Sequence, residues 1–360
     1  MTNLEERNQK IIDAVVKKAN TVCPGALALI GIYGSFMTGD FHEKSDLDLL
    51  ILINDDRGWQ LGCSFIQDDL KVGHDIYCTT WEQLQNDARY EHPNISKLMD
   101  ATIVYCTDAK YMKQLEALRQ MAKDILSAPF SEKDYTKAEK MLKETEHDYT
   151  MAMISERMSD VLNGAGSVIY YIENAIAMLN KQYFRYGVKR TYEELRAMQH
   201  RPEKLCERID AVISATSVES VKEHLTMLMK ETIAAFHQVK EVIKAVDLQK
   251  KPVSPDNLTG TYEEMYSNWR NKMYFAAERD DRHLALMSLI SAGAMFSEIG
   301  SEVNIGRYNV LEGYDSQDLY KTAQAYDDIL SAYLKEYEKA KIPVRQYSDI
   351  DAFVSDYLNN

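Results

Sequence analysis

Gly31-Ile32-Tyr33-Gly34-Ser35-Phe36-Met37-Thr38-Gly39-Asp40-Phe41-His42-Glu43-Lys44-Ser45-Asp46-Leu47-Asp48-Leu49-Leu50-Ile51-Leu52-Ile53 is the stretch on which the reading of this chain turns. An apolar run from Leu27 to Tyr33 predicts a strand that ends at Gly34-Ser35, and a second apolar strand opens with Asp46 and Asp48. Side chains alternate faces along a strand, so residues two apart project on the same side. Asp46 and Asp48 are therefore read as a carboxylate pair. Such a pair at a strand's mouth suits a hard divalent cation such as Mg2+, held through oxygen beside substrate phosphates. Two ions roughly 3.5–4 Å apart can activate an attacking oxygen and stabilise the departing one. Gly34-Ser35 supplies the other half, because a glycine lets backbone N–H groups approach phosphate oxygens and a helix start favours negative charge.

The rest of the composition narrows the function class. The chain has 360 residues, 45% of them hydrophobic, enough for two or three domains with real cores. Its formal charge, 42 minus 56 or −14, weighs against nucleic acid as the primary partner and suits a cationic acceptor. Cys23, Cys63, Cys78, Cys106 and Cys206 are odd in number and form no Cys-x-x-Cys, a pattern of reduced thiols rather than disulfides or zinc ligands. The N-terminus has neither a basic region nor an apolar run, and no stretch of about 18 apolar residues occurs anywhere, so a soluble cytoplasmic protein without membrane contact is expected.

Taken in order, Leu4, Ile11, Ile12, Val15, Val16 and Ala19 recur at helical spacing, and Pro24-Gly25 breaks that helix. After the second strand, Leu70 to Cys78 reads as a third extended run. Alternation along it puts Asp75 on one face with Lys71, Gly73 and Tyr77, opposite Val72 and Ile76, with His74 packed on the opposite face or at an edge. A helix over Trp81–Tyr90 and a fourth strand over Ala101–Tyr105 would close a small mixed sheet. Helices must cover its second face, and Ala109–Ala128 supplies one that Pro129 ends. From Ser131 the pattern is helical, roughly 134–158, 167–185, 191–198, 203–214 and 217–246, with a bundle-core stripe of Tyr170, Tyr171, Ile172, Ile176, Leu179, Tyr183 and Phe184. Lys250 to Gly260, with two prolines among polar residues, reads as a linker. Helices near 317–340 and 348–358 form a tail in which Tyr320, Tyr326, Tyr333 and Tyr337 read as packing residues with solvated hydroxyls. The fold class expected is α+β, in three regions: a catalytic domain over 1–128, a helical block over 129–250 that is an insertion or acceptor domain, and a C-terminal helical domain over 251–360.

Gly34, Ser35, Asp46 and Asp48, with their spacing and flanking strands, resemble the signature of the nucleotidyltransferase superfamily named for DNA polymerase beta. The resemblance implies a third metal-site carboxylate on a neighbouring strand, and Asp75 is the matching residue. A second resemblance lies further along. Tyr262-Glu263-Glu264-Met265-Tyr266-Ser267-Asn268-Trp269-Arg270-Asn271, followed by Ala292-Gly293-Ala294-Met295, is similar to the helical domain of kanamycin nucleotidyltransferase and related aminoglycoside-modifying enzymes. Those enzymes carry a general-base glutamate five residues before the tryptophan, where Glu264 stands here. Glu146, on the earlier acidic helix, is the alternative base if the helical block holds the acceptor. Two positions depart from the pattern: Thr38 stands where relatives commonly have a phosphate-touching arginine, and Asn268 where the kanamycin enzyme has a lysine.

The resemblance implies an enzyme that moves a nucleoside monophosphate, AMP from Mg-ATP in the first instance, onto a hydroxyl of a small acceptor such as a cationic antibiotic. In that reading Gly34, Ser35 and Ser45 contact the triphosphate, Asp46 and Asp48 bridge two Mg2+ ions, Asp75 helps bind the catalytic ion, and a homodimer is compatible. Two other readings stay open. One is a protein-modifying, AMPylating nucleotidyltransferase of the antitoxin type, and the other a non-catalytic nucleotide-binding protein, which would have no use for three converging carboxylates.

Overall fold

The computed structural model describes residues 3–247 and 250–359 and divides into two compact units, one over residues 1–246 and one over 247–360. In the first unit, α1 (Asn3–Val22) lays Ile12, Val15 and Ala19 on one face of a sheet. The chain then makes β1 (Leu27–Ile32), a one-turn α2 (Ser35–Thr38) and β2 (Leu49–Ile53). An exposed hairpin follows, β3 (Cys63–Gln67) and β4 (Val72–Ile76), and then β5 (Cys78–Thr80). Thr80 caps α3 (Trp81–Ala88) through a reciprocal exchange with Gln83. After α4 (Ser96–Met99) and β6 (Thr102–Cys106), α5 (Ala109–Ser127) begins on the Asp108 side chain.

The main sheet has the order β5-β2-β1-β6, with β2 and β5 parallel and the other pairs antiparallel. Both central strands are apolar without alternation because both faces are covered. Ile30, Ile51 and Ile53 pack toward α1, whereas Leu29, Leu50 and Leu52 join the core of the helices that follow.

The extended run from Leu70 to Cys78 is two strands, not one. β4 pairs antiparallel with β3, and after Tyr77 the chain joins the main sheet as β5, parallel to β2. Asp75 therefore stands on a separate two-stranded ribbon. β3 was not foreseen: Cys63, Ser64, Phe65 and Ile66 are all exposed, so no buried face imposes an alternating pattern on it.

The predicted helix 134–158 is interrupted, giving α6 (Glu132–Lys143), capped by Ser131 and Asp134, and α7 (Thr145–Ile154). α8 (Met158–Leu179), α9 (Thr191–Ala197), α10 (Leu205–Ser214) and α11 (Val218–Asp247) complete the unit. A Cβ at Gly164 of α8 would meet the Asp148 carbonyl at 2.8 Å and the Ala152 Cβ at 2.9 Å, so α7 and α8 approach as closely as a glycine permits. Within the aromatic stripe, Ile172, Ile176 and Leu179 are fully buried but Tyr170 is exposed. One apolar core runs without a break from Leu29 of β1 to Phe236 of α11.

The second unit has its own core. The prolines of the expected linker belong to it: Ser254 and Asn257 cap α12 (Pro255–Leu258), and Leu258 is fully buried. Next come α13 (Thr261–Met265), a π-helical turn over Tyr266–Arg270, α14 (Asn271–Glu278), α15 (Arg282–Glu302), α16 (Leu319–Ala340) and α17 (Ile350–Asn359). By length and composition α15 could cross a membrane. Ala285, Leu289, Ala292 and Phe296 bury one of its faces in this unit.

Tyr326, Tyr333 and Tyr337 of α16 are core residues, as their spacing predicts, whereas Tyr320 is exposed. Their hydroxyls are not solvated. Tyr326 donates to the Met265 carbonyl at 3.2 Å, Tyr337 to the Leu258 carbonyl, and Tyr333 shares a hydrogen bond with the Thr261 hydroxyl at 2.7 Å. Buried hydroxyls require partners, and two carbonyls and the Thr261 hydroxyl around α13 provide them.

Candidate active site

The Tyr33 N–H donates to the Asp48 carbonyl at 3.1 Å, so the β1–β2 ladder continues one step beyond the strands and sets Asp48 beside the end of β1. There the chain turns through Gly34 at φ +69°, a left-handed conformation, and a Cβ at this position would lie 1.9 Å from Asp48 Oδ2. The carboxylate is laid against the glycine backbone. The Ser35 N–H donates to it, and the turn closes as the Asp40 N–H donates to the Ser35 carbonyl at 3.1 Å. This position tolerates only glycine, for its space as much as for its φ.

The electrostatics follow from that packing. Burial is the main cause that raises the Asp48 carboxyl above the usual carboxylate range, the Asp46 charge adds to it, and the Ser35 N–H and the Lys189 ammonium oppose it. Tyr33 is pushed up to about 12, first by burial and then by the negative charges of Asp48, Asp46, Asp75 and Asp87. The three carboxylates named from sequence thus all act on one phenol. They are not equivalent, however. Asp75 is exposed and its Oδ1 accepts a hydrogen bond from the Ser64 hydroxyl at 2.7 Å across the hairpin. Among the described residues no three His, Cys, Asp or Glu side chains converge closely enough to hold a metal ion.

β2 begins at Leu49, so Asp46 and Asp48 lie on the chain just before the strand and not within it as the sequence predicts; the two carboxylates could still hold a divalent cation. A partly buried carboxylate raised by a like charge is relieved by a cation, and phosphate oxygens of a substrate can fill the remaining positions.

Ser45 has a different place from the one its sequence position implies. It is buried; its hydroxyl accepts from the His42 N–H at 2.9 Å, and its carbonyl accepts from Arg7 Nη2 at 2.6 Å. Ser45 braces the loop that presents Asp46. Arg7, from α1, is the residue that sequence reasoning missed on this side: burial lowers its pKa, and the Asp46 charge opposes that shift. His74 is buried, stacked on Phe65 at 4.8 Å between ring centroids, as its face of the hairpin predicts.

A second omission lies in the helical block. The segment Gly187–Arg190, just before α9, reaches the Gly34–Asp40 turn: Lys189 Nζ donates to the Asp40 carbonyl at 3.3 Å, and Arg190 lies 3.7 Å from the Asp40 carboxylate. Arg190 is fixed by two bonds to Glu193, at 2.6 and 2.7 Å, and by the face of Tyr186. Nothing in local sequence announces a contact between residues 149 positions apart.

The two candidate bases are both exposed, Glu146 on α7 and Glu264 on α13 in the second unit. Glu263, beside Glu264, instead accepts the Arg345 N–H at 2.8 Å. Asp327 receives Arg270 through two bonds, at 2.7 and 2.9 Å, and the Tyr274 hydroxyl at 2.7 Å, so Arg270 anchors the π-helical turn.

Gly34→Ala tests the carboxylate seat directly. The added methyl must displace Asp48 and hold a strained φ, a backbone penalty of about 1–3 kcal/mol. A lower melting temperature is expected together with loss of pyrophosphate-releasing activity. Wild-type activity from a folded Gly34→Ala protein would show that the Asp48 position is unimportant.

Residues 9–147 match the model of the family described as nucleotidyltransferase domain. No curated protein matches the chain. Among solved structures, a nucleotidyltransferase-like protein from Exiguobacterium sibiricum is 10% identical, with 75% of this chain and 91% of that one covered, and superposes at a TM-score of 0.32, too loosely to bear on function. From the strand-turn-strand signature, the small mixed sheet and the family match together, the N-terminal part of this chain is a nucleotidyltransferase domain, followed by a mostly helical remainder.

Proposed function

We propose that this protein transfers a nucleoside monophosphate, AMP from Mg-ATP in the first instance, to a hydroxyl of a small acceptor. The observation that carries the reading is the Asp48 carboxylate, laid on Gly34, hydrogen-bonded by the Ser35 N–H and raised by burial and by Asp46. A carboxylate in that state is built to meet positive charge.

In the reaction proposed, the acceptor oxygen attacks the α-phosphorus in line, its bond to phosphorus forms as the bond to the pyrophosphate oxygen breaks, and a carboxylate takes the hydroxyl proton. Asp46 and Asp48 would hold the divalent cation, which when bound supplies neutralisation of the phosphate charge. Ser35, at the turn, orients the phosphates, Ser45 keeps the Asp46 loop in place, and Asp75 contributes negative potential from the hairpin. Glu264 is the base proposed from the kanamycin-enzyme resemblance. Positioning and electrostatics would provide most of the acceleration. The net charge of −14 supports a cationic acceptor, aminoglycosides being the first class to try.

The test is a screen of hydroxyl-bearing small molecules, aminoglycosides first, for Mg2+-dependent pyrophosphate release from each nucleoside triphosphate. Acceptor-dependent release with a mass gain of one nucleoside monophosphate is expected. Labelled ATP in a lysate that marks protein bands and no small molecule would replace this reading with protein modification.

A further inference from the structure

We propose that Lys189, on the Gly187–Arg190 segment of the helical block, binds the phosphate chain of the nucleoside triphosphate. The inference rests on the nucleotidyl-transfer reading and adds a residue from outside the part of the chain that matches the family.

The region around Tyr33 is negative, with Asp46, Asp48 and Asp75 all acting on its hydroxyl. A triphosphate brings further negative charge to that place, yet the Gly34–Asp40 turn contains no lysine or arginine. The cations that reach it come from elsewhere, and they differ in freedom. Arg7 lies at the Asp46 end of the loop, where Nη2 donates to the Ser45 carbonyl and to Asn8 Oδ1 and the buried Nη1 has no hydrogen-bond partner among the described residues. Arg190 is committed to Glu193, Asp40 and the Tyr186 ring.

Lys189 is exposed, and among the described residues the hydrogen-bond partner of its ammonium is one neutral carbonyl, that of Asp40, at 3.3 Å. Its charge also reaches Asp48, where it favours the ionised carboxylate. A phosphate oxygen offers the ammonium an ion–ion attraction that a neutral carbonyl does not, so a phosphate oxygen at this turn displaces the carbonyl. The flexible four-carbon stem of lysine permits that exchange without moving the backbone. Arg190 next door keeps the segment against the turn whether Lys189 is on the carbonyl or on the ligand.

Equilibrium binding of ATP, other nucleoside triphosphates and adenosine to the full chain, in the presence of Mg2+, tests the assignment. Lys189→Gln should weaken triphosphate binding by roughly 10–100-fold, leave adenosine binding unchanged, and flatten the salt dependence. Lys189→Arg should restore part of the loss. Unchanged triphosphate affinity in Lys189→Gln overturns the proposal while leaving nucleotidyl transfer intact. An equal loss for adenosine overturns it as well, since Lys189 would then be supporting the fold. A wild-type chain that binds no nucleoside triphosphate overturns the underlying reading and the proposal with it.

Discussion

Asp48→Asn and Asp46→Asn are each expected to lose roughly 10³-fold or more in turnover, the equivalent of several kcal/mol of transition-state stabilisation by a metal-held charge. The fold should survive both, and Asp48→Asn should melt above the wild type at neutral pH in the absence of nucleotide. The sign follows from the raised Asp48 pKa. In the unfolded chain this carboxyl titrates near 3.9. In the fold it holds its proton to higher pH, so between those two values the folded state binds more protons and stability falls as pH rises. At neutral pH the full penalty is present, and asparagine removes it. The melting difference between Asp48→Asn and wild type should shrink as pH drops toward and below the unfolded value. Melting curves across pH, set beside pyrophosphate release with a good acceptor, check both halves. Near wild-type turnover in either mutant would sink the metal assignment, and a lower melting temperature for Asp48→Asn at pH 7 would sink the electrostatic account of the pair.

The second large effect concerns the acceptor's proton. Glu264→Gln keeps the size and reach of the side chain but loses its basicity, so acceptor-saturated turnover should fall by roughly 10²–10⁴-fold, with triphosphate affinity unchanged. Glu264 is exposed and Glu263 accepts the Arg345 N–H, which makes Glu263→Gln a control that should affect stability of the second unit rather than rate. If Glu146→Gln shows the loss and Glu264→Gln is silent, the helical block supplies the base and the resemblance to the kanamycin enzyme is one of ancestry. If both are silent, Asp75 becomes the base to test.

What could be read from the sequence was what repeats or punctuates locally. β1 and β2 announced themselves as apolar runs bounded by Pro24-Gly25 and by the aspartates, and the Ser131 cap marked the start of α6. The exposed β3 gave no signal because no core selects its residues. The change of sheet between β4 and β5 at Tyr77 was hidden because extended backbone continues through it. Tertiary contacts were the other blind spot. Arg7 meets Ser45 from α1, Lys189 meets Asp40 across 149 residues, and the buried tyrosines of α16 find two carbonyls and the Thr261 hydroxyl around α13. Periodicity assigned those tyrosines to a core correctly but could not say where their hydroxyls would go.

The unbroken core from Leu29 to Phe236 also sets the smallest stretch of this chain that can fold by itself. Tyr90, Ile95 and Leu98, on the side of the first 128 residues that meets the helices that follow, share one core with Val168, Ile172 and Ile176 of α8, and the Tyr90 hydroxyl donates to the Gln182 carbonyl at 2.5 Å. A fragment cut after residue 128 would present that side to water as a contiguous apolar patch, the kind of surface that drives aggregation. A fragment cut after residue 246 would retain the whole core and the turn that seats Asp48. Truncation for expression, or grafting of the nucleotide-binding motif onto another scaffold, therefore has to carry α6 to α11 along with the sheet.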